Sequence, residues 1–146
     1  MNAKETLYQS QVERRKEKDS NAKRIATRGE EIAAEFLEKA SYIVLETNFR
    51  AGREGEIDIV AVSPEGVLVF AEVKTRTVDG IQYGIPELGF EAVSYSKQKK
   101  ILAVSNAYMQ KCGRGRMRWR YDVIVIYICR EPGEPLQIFH VEDAFC

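Results

Sequence analysis

The chain's 146 residues, 45% of them hydrophobic, are enough for one domain around one core, and its apolar runs, such as Val67 to Ala71, fall far short of the ~20 residues that cross a bilayer. Its 22 lysines and arginines balance 22 acids, which excludes a protein that coats nucleic acid by bulk charge alone. The N-terminal segment has neither the apolar stretch nor the small-residue cleavage site of a secretory leader, so a cytoplasmic protein is expected.

Residues 1 to 21 are polar and of mixed charge, and are expected as a flexible or frayed arm ahead of a single domain over residues 22–146. Ile25, Gly29, Ile32, Ala33, Phe36, Leu37 and Ala40 recur at three- and four-residue intervals, which predicts a helix from Ala22 to Lys39 with Glu30 beside its apolar face. SYIVLETNFR follows as a strand and AGREG as a turn. Next, EIDIVAVSPEGVLVFAEVK predicts a β-hairpin that turns at Ser63-Pro64-Glu65-Gly66. The stretch TRTVDGIQYGIPELGFEAV lacks periodicity and reads as an ordered, irregular loop, a common place for function.

A second helix carries Ile101, Leu102, Val104, Ser105, Tyr108 and Met109 inward, with Ser94 or Ser96 as its N-cap and Cys112-Gly113 as its end. WRYDVIVIYIC is a buried strand, EPGEP a turn and LQIFHV a last strand. Helix, three strands, helix and two strands predict an α/β fold, a mixed sheet with helices packed against it.

Chemistry in this chain rests on carboxylates and lysines. Cys112, Cys129 and Cys146 lack the close spacing of zinc or redox motifs and read as reduced, structural residues. His140 has no partner of metal-ligating type nearby in sequence and reads as structural or surface. From Ser94 to Arg120 there is no acid, while Lys97, Lys99, Lys100, Lys111, Arg114, Arg116 and Arg118 accumulate. This run is either a phosphate-contacting zone, with Gly113 and Gly115 forming a loop able to close on DNA, or a solvated helix face and loop. Trp119 is expected in the core rather than as a base-stacking platform, and Asp122 as an ion-pair partner of Arg120.

With the turn centred on Glu65, Ile57 faces Val73, Ile59 faces Ala71 and Ala61 faces Val69, so one side of the hairpin is apolar. On the other side Glu54 faces Arg76 and Glu56 faces Lys74, which ordinary cross-strand ion pairing explains. Asp58 facing Glu72 is different. Two carboxylates with Cβ atoms about 5 Å apart repel, unless both are well solvated or a divalent cation lies between them. Mg²⁺ takes carboxylate oxygens, keeps several waters and is completed by substrate phosphates, and with Lys74 alongside such a set would serve phosphodiester hydrolysis.

These residues resemble the PD-(D/E)xK nuclease superfamily, with Asp58 as the first acid and Glu72-Val73-Lys74 as the E-x-K element. More closely, the chain is similar to the UPF0102 (YraN-like) family of predicted endonucleases, akin to archaeal Holliday junction resolvases. The likeness runs over about residues 22 to 146, through Arg28-Gly29-Glu30, Asn48-Phe49-Arg50, Gly55-Glu56-Ile57-Asp58, Phe70-Ala71-Glu72-Val73-Lys74-Thr75-Arg76, Lys97, Arg120-Tyr121-Asp122-Val123 and Asp143-Ala144-Phe145. Phe49 stands where tryptophan is frequent and Ala71 where valine is.

The resemblance implies a restriction-endonuclease-like fold and a DNA endonuclease using Mg²⁺ (or Mn²⁺), with double-stranded or branched DNA as partner. Asp58, Glu72 and Lys74 would be catalytic, and Asp58, Glu72 and Glu30 would hold the metal. Glu30 has a second reading as a capping-box partner of Thr27. Arg28, Arg50, Arg76, Lys97, Lys99, Lys100, Arg114, Arg116 and Arg118 would contact nucleic acid, and a homodimer would follow if two symmetric cuts are made. The alternative function is a non-catalytic nucleic-acid-binding or scaffold protein that retains the nuclease fold.

Overall fold

The computed structural model describes residues 2–78, 93–129 and 135–145. Most of the irregular loop after Thr77 and the EPGEP turn, expected from sequence, lie outside the described residues. Helix α1 spans Ala3–Lys39, and helix α2 spans Tyr95–Lys111. Five strands, β1 (Ile43–Arg50), β2 (Glu56–Val62), β3 (Leu68–Val78), β4 (Trp119–Cys129) and β5 (Pro135–Phe145), form one sheet in sequence order. Only β3 and β4 run parallel, and α2 lies on the crossover between them. The other neighbours are antiparallel. This is the mixed α/β arrangement the resemblance implies. No described helix is long and apolar enough to cross a membrane.

Alternation along β3 and β4 sorts the interior into two layers. Leu68, Phe70, Tyr121, Val123 and Val125 pack with Ile101, Val104, Tyr108 and Met109 of α2. Val69, Ala71, Ile124, Ile126 and Ile128 pack with Ile32, Ala33 and Leu37 of α1. Residues one apart in a strand point to opposite faces, so each helix covers one side of the sheet. The second helix follows its expected pattern, with Ser94 as N-cap accepting from the Lys97 N–H, but Leu102 stays 43% exposed.

The first helix begins nineteen residues earlier than its apolar periodicity suggests, at Ala3 rather than Ala22. A reciprocal cap starts it: Asn2 Oδ1 accepts from the Glu5 N–H at 3.0 Å, and Glu5 Oε2 accepts from the Asn2 N–H at 2.9 Å. All of its buried residues, Gly29, Ile32, Ala33 and Leu37, lie in the second half. The polar first half therefore holds its conformation through capping and good helix formers, with no tertiary packing that a hydrophobic pattern could reveal. It also removes the capping-box reading of Glu30, since Thr27 and Glu30 both lie inside the helix.

The hairpin register is the expected one over Val62↔Leu68, Ala61↔Val69, Val60↔Phe70 and Ile59↔Ala71. Ser63 N–H bonds to the Val67 carbonyl at 2.9 Å and Gly66, at φ 83°, closes the turn on the Ser63 carbonyl. Beyond Ile59↔Ala71 no ladder pair joins the described residues of β2 and β3. Ile57, expected on the same apolar side as Ile59, instead packs in the α2 layer with Phe49, its partner on β1, while Ile59 packs on the α1 side.

Candidate active site

Each hairpin strand keeps its outer neighbour where the two separate. β2 stays on β1 through Phe49↔Ile57 and Arg50↔Glu56, while β3 stays on β4 through Val78↔Cys129. The sheet therefore forks between β2 and β3. A forked sheet leaves backbone donors without ladder partners, and here Asp58 Oδ2 accepts the Val73 N–H at 2.8 Å. Asp58 and Glu72 are thus not a ladder pair. They sit on the two prongs, and groups from both helices reach the gap.

Glu30 arrives from α1. Gly29 allows it: a Cβ at position 29 would lie 1.9 Å from Thr75 Oγ1 and 3.0 Å from Thr75 Cβ, so only glycine lets α1 approach β3 this closely. Carboxylate oxygens of Glu30, Glu56 and Asp58 all lie within 4.8 Å of one another. Gly29→Ala is expected to destabilise the fold by about 1–3 kcal/mol through overpacking and to weaken divalent-cation affinity by displacing Glu30. Thermal unfolding and calorimetric cation titration of the same sample check both parts, and unchanged affinity would detach Glu30 from the site.

Glu72, 6% exposed, is held differently. Its Oε1 lies 3.4 Å from Lys97 Nζ on the first turns of α2 and 3.9 Å from Lys74 Nζ. Lys97, expected to contact DNA, is therefore placed at the fork. Glu56, expected opposite Lys74, pairs instead with Arg50 Nε at 2.7 Å, which ties up an arginine also expected on DNA. Sequence reasoning set Glu56 aside as an ordinary pair. Its spacing of two from Asp58, which puts both on one face of a strand, was the available signal.

The electrostatics record crowding of like charge. Burial, then the charges of Glu72 and Glu30, push Asp58 up to about 8, against the opposing pull of the Val73 N–H and Lys97. Glu30 is raised too, first by burial and then by Glu56 and Glu72, although the side chain of Asn48 hydrogen-bonds to it. Asn48 adopts φ 53°, a left-handed conformation that asparagine tolerates better than most residues. Hard carboxylate oxygens clustered beside buried like charge fit an Mg²⁺-class cation. A groove of about 370 Å³ between α1 and β3, lined by Ala26, Glu30, Lys74, Thr75 and Arg76 among others, opens beside the cluster.

The remaining basic residues do not converge here. Lys99 and Lys100 are exposed near the start of α2, with Lys99 Nζ 4.7 Å above the Tyr95 ring. Arg28 lies 3.6 Å from Glu31 on its own helix. Arg114, Arg116 and Arg118 follow the far end of α2, and its 17 residues span about 25 Å. The acid-free run is therefore two basic surfaces. Trp119, expected in the core, is 41% exposed: it opens β4 beside the last turns of α2, which leave a cavity over it rather than cover it.

Asp122 is fully buried on β4, opposite Ala71 of the last hairpin ladder pair, and its carboxylate is taken up by partners other than the fork's. It accepts from Arg120 Nε at 2.9 Å and the Asp143 N–H at 3.0 Å, and lies 2.7 Å from His140 Nε2. Arg120 donates onward to the Tyr42 hydroxyl at 2.8 Å, and the His140 ring makes edge contacts with Phe36 and Tyr42. Arg120 and Asp122 thus form the expected ion pair, and His140 is structural.

The model of an uncharacterised protein family, UPF0102, matches residues 29–126. A UPF0102 protein of Caldanaerobacter subterraneus is 36% identical over 128 residues, covering 88% of this chain and 99% of its own. A Rhodococcus jostii relative is 40% identical over 83% of this chain and 95% of its own, and one from Geobacter sulfurreducens is 41% identical over 83% and 88%. The matched span contains both prongs of the fork, Glu30 and the whole of α2, and the chain belongs to the UPF0102 family.

Proposed function

We propose that this protein is a DNA endonuclease that hydrolyses phosphodiesters at the β2/β3 fork with the help of a divalent cation. The observation that carries the reading is the meeting of Glu30, Glu56 and Asp58 oxygens within 4.8 Å of one another, beside a buried Glu72 that holds two lysines. Glu30, Glu56 and Asp58 would hold Mg²⁺ or Mn²⁺, with Glu72 at its flank, and the cation would supply Lewis-acid activation of water and of a phosphoryl oxygen.

The chain's own groups do the rest. Glu72 fixes the Lys74 ammonium beside the cluster, three-quarters buried, where it orients an attacking water or stabilises charge that grows on the phosphate. Lys97 balances the negative charge of Glu72 and keeps a cation facing the substrate. Asp58 fixes the fork itself through its bond to the Val73 N–H, so the ligand set does not depend on a loop. Lys99 and Lys100 extend the positive surface for the phosphates of double-stranded or branched DNA. Two symmetric cuts across a four-way junction would need a homodimer.

The test is cleavage of linear, flapped and four-way DNA in Mg²⁺ or Mn²⁺, with cation binding followed by calorimetry. Wild type is expected to bind the cation and cut at least one substrate. Lys74→Met is expected to bind the cation and lose at least about a hundredfold in rate. A wild type that binds DNA and cuts none of the set would favour the non-catalytic nucleic-acid-binding or scaffold reading.

A further inference from the structure

At the opposite end of α2 from Lys97, the side chains of Asn106, Met109, Gln110, Arg116 and Trp119 line an open cavity of about 520 Å³. About 18 Å of helix separates Met109 from Lys97, so the cavity is distinct from the fork. Trp119 is the chain's single tryptophan. Its ring lies 5.2 Å from that of Tyr121, which is itself buried, and Trp119 as a residue is still 41% exposed. A large aromatic side chain left part-open in a concave site with polar neighbours offers a plane on which another ring can stack.

Three properties of the lining agree on one occupant. An exposed indole plane stacks any nucleobase. The carboxamides of Asn106 and Gln110 offer the adjacent donor and acceptor that pair with base edges. Arg116 lines the cavity and is exposed, Arg118, next to Trp119 in the chain, is exposed too, and no acidic residue occurs in the sequence from Ser94 to Tyr121. We propose that this cavity binds an unpaired nucleobase of single-stranded DNA, with the neighbouring phosphates on Arg116 and Arg118. A base within a duplex is covered on both faces and cannot enter.

The proposal rests on the DNA-acting reading and deepens it: the substrate would carry a single-stranded segment a few nucleotides from the scissile bond, at the far end of α2 from the fork. One strand would then be held at the fork by its backbone and at Trp119 by a base. An acidic protein partner fits the arginines but gives the carboxamides and the stacking plane no role. A second copy of the chain would have to bring acids to this rim.

Because Trp119 is the only indole, its fluorescence reports the cavity directly. The full chain in EDTA, where nothing is cut, is titrated with a short oligothymidylate and with a blunt duplex of equal length. The oligothymidylate is expected to quench the emission and the duplex to leave it nearly unchanged. Arg116→Glu, an exposed substitution, is expected to weaken oligothymidylate binding about tenfold, and Trp119→Ala, followed by anisotropy of a labelled strand, by a similar factor. Absence of quenching, equal quenching by the duplex, or emission that changes with protein concentration alone would overturn the proposal, the last in favour of a second copy. The titration needs no cleavage, so an inactive wild type would sink the endonuclease reading and leave this result standing.

Discussion

Asp58→Asn is expected to stabilise the cation-free protein while abolishing cleavage. The carboxylate is pushed up to about 8 by burial and by Glu72 and Glu30, so the fold opposes its charge. The sign follows from linkage. A carboxyl whose folded pKa lies above its unfolded value near 3.8 binds its proton more tightly when folded. The stability it lends is full below pH about 4 and is lost as pH rises toward 8. Asparagine keeps an oxygen to accept the Val73 N–H and carries no charge, so at pH 8 the gain should be roughly 1–3 kcal/mol. Wild type should regain stability when Mg²⁺ is added, because a ligand that binds only the folded state stabilises it by mass action. The variant should not. Thermal unfolding with and without Mg²⁺ at pH 6 and pH 8 measures all of this, and cleavage should fall by at least about a hundredfold. A variant less stable than wild type at pH 8, or one that Mg²⁺ still stabilises equally, would make Asp58 a structural residue of the fork.

The fork shows where sequence reasoning stops. The turn at Ser63-Pro64-Glu65-Gly66 and the alternation of Ile59, Ala61, Val69 and Ala71 are local signals, and they fix four ladder pairs. The place where the ladder ends depends on pairings of the other edges, Phe49 with Ile57 and Lys74 with Val125, which are remote in sequence. For that reason Asp58 and Glu72 were legible as an electrostatic oddity but not as opposite prongs of a split sheet. Glu56 was discounted because its nearest apparent partner was Lys74, while its actual partner, Arg50, belongs to the preceding strand. The N-terminal half of α1 is expected from sequence only as a flexible arm or frayed helix, for another reason: periodicity detects buried faces, and that half has none. Trp119 is expected in the core because strand alternation says which way a side chain points and not how fully the facing helix covers it.

Asp122→Ala is expected to cost about 3–5 kcal/mol, enough to lower the unfolding temperature by roughly 10 °C or more. The register shift between Tyr121 and Val123 leaves Asp122 without a ladder partner on β5, and its carboxylate takes the Asp143 N–H instead, where Asp143 adopts φ 50°. The same carboxylate bonds Arg120 and His140, so truncation strands a half-buried guanidinium, a backbone N–H and an imidazole together. Burial alone would raise Asp122, but His140, Arg120 and the Asp143 N–H outweigh it and hold the carboxyl below the usual range. A depressed carboxyl contributes stability that is present above its unfolded pKa and is lost as pH falls through the folded value. Wild type should therefore lose this contribution only in acid below pH about 4, whereas Asp122→Asn should lack it at every pH. Its amide also turns donors toward the donors of Arg120. Hydrogen exchange should show β5 opening before β3 and β4 in either variant, because β5 touches the rest of the sheet only through β4. A loss under about 1 kcal/mol, or exchange of β5 unchanged, would mean that apolar pairing of Val141, Phe139 and Ile138 with β4 holds the last strand without the buried ion pair.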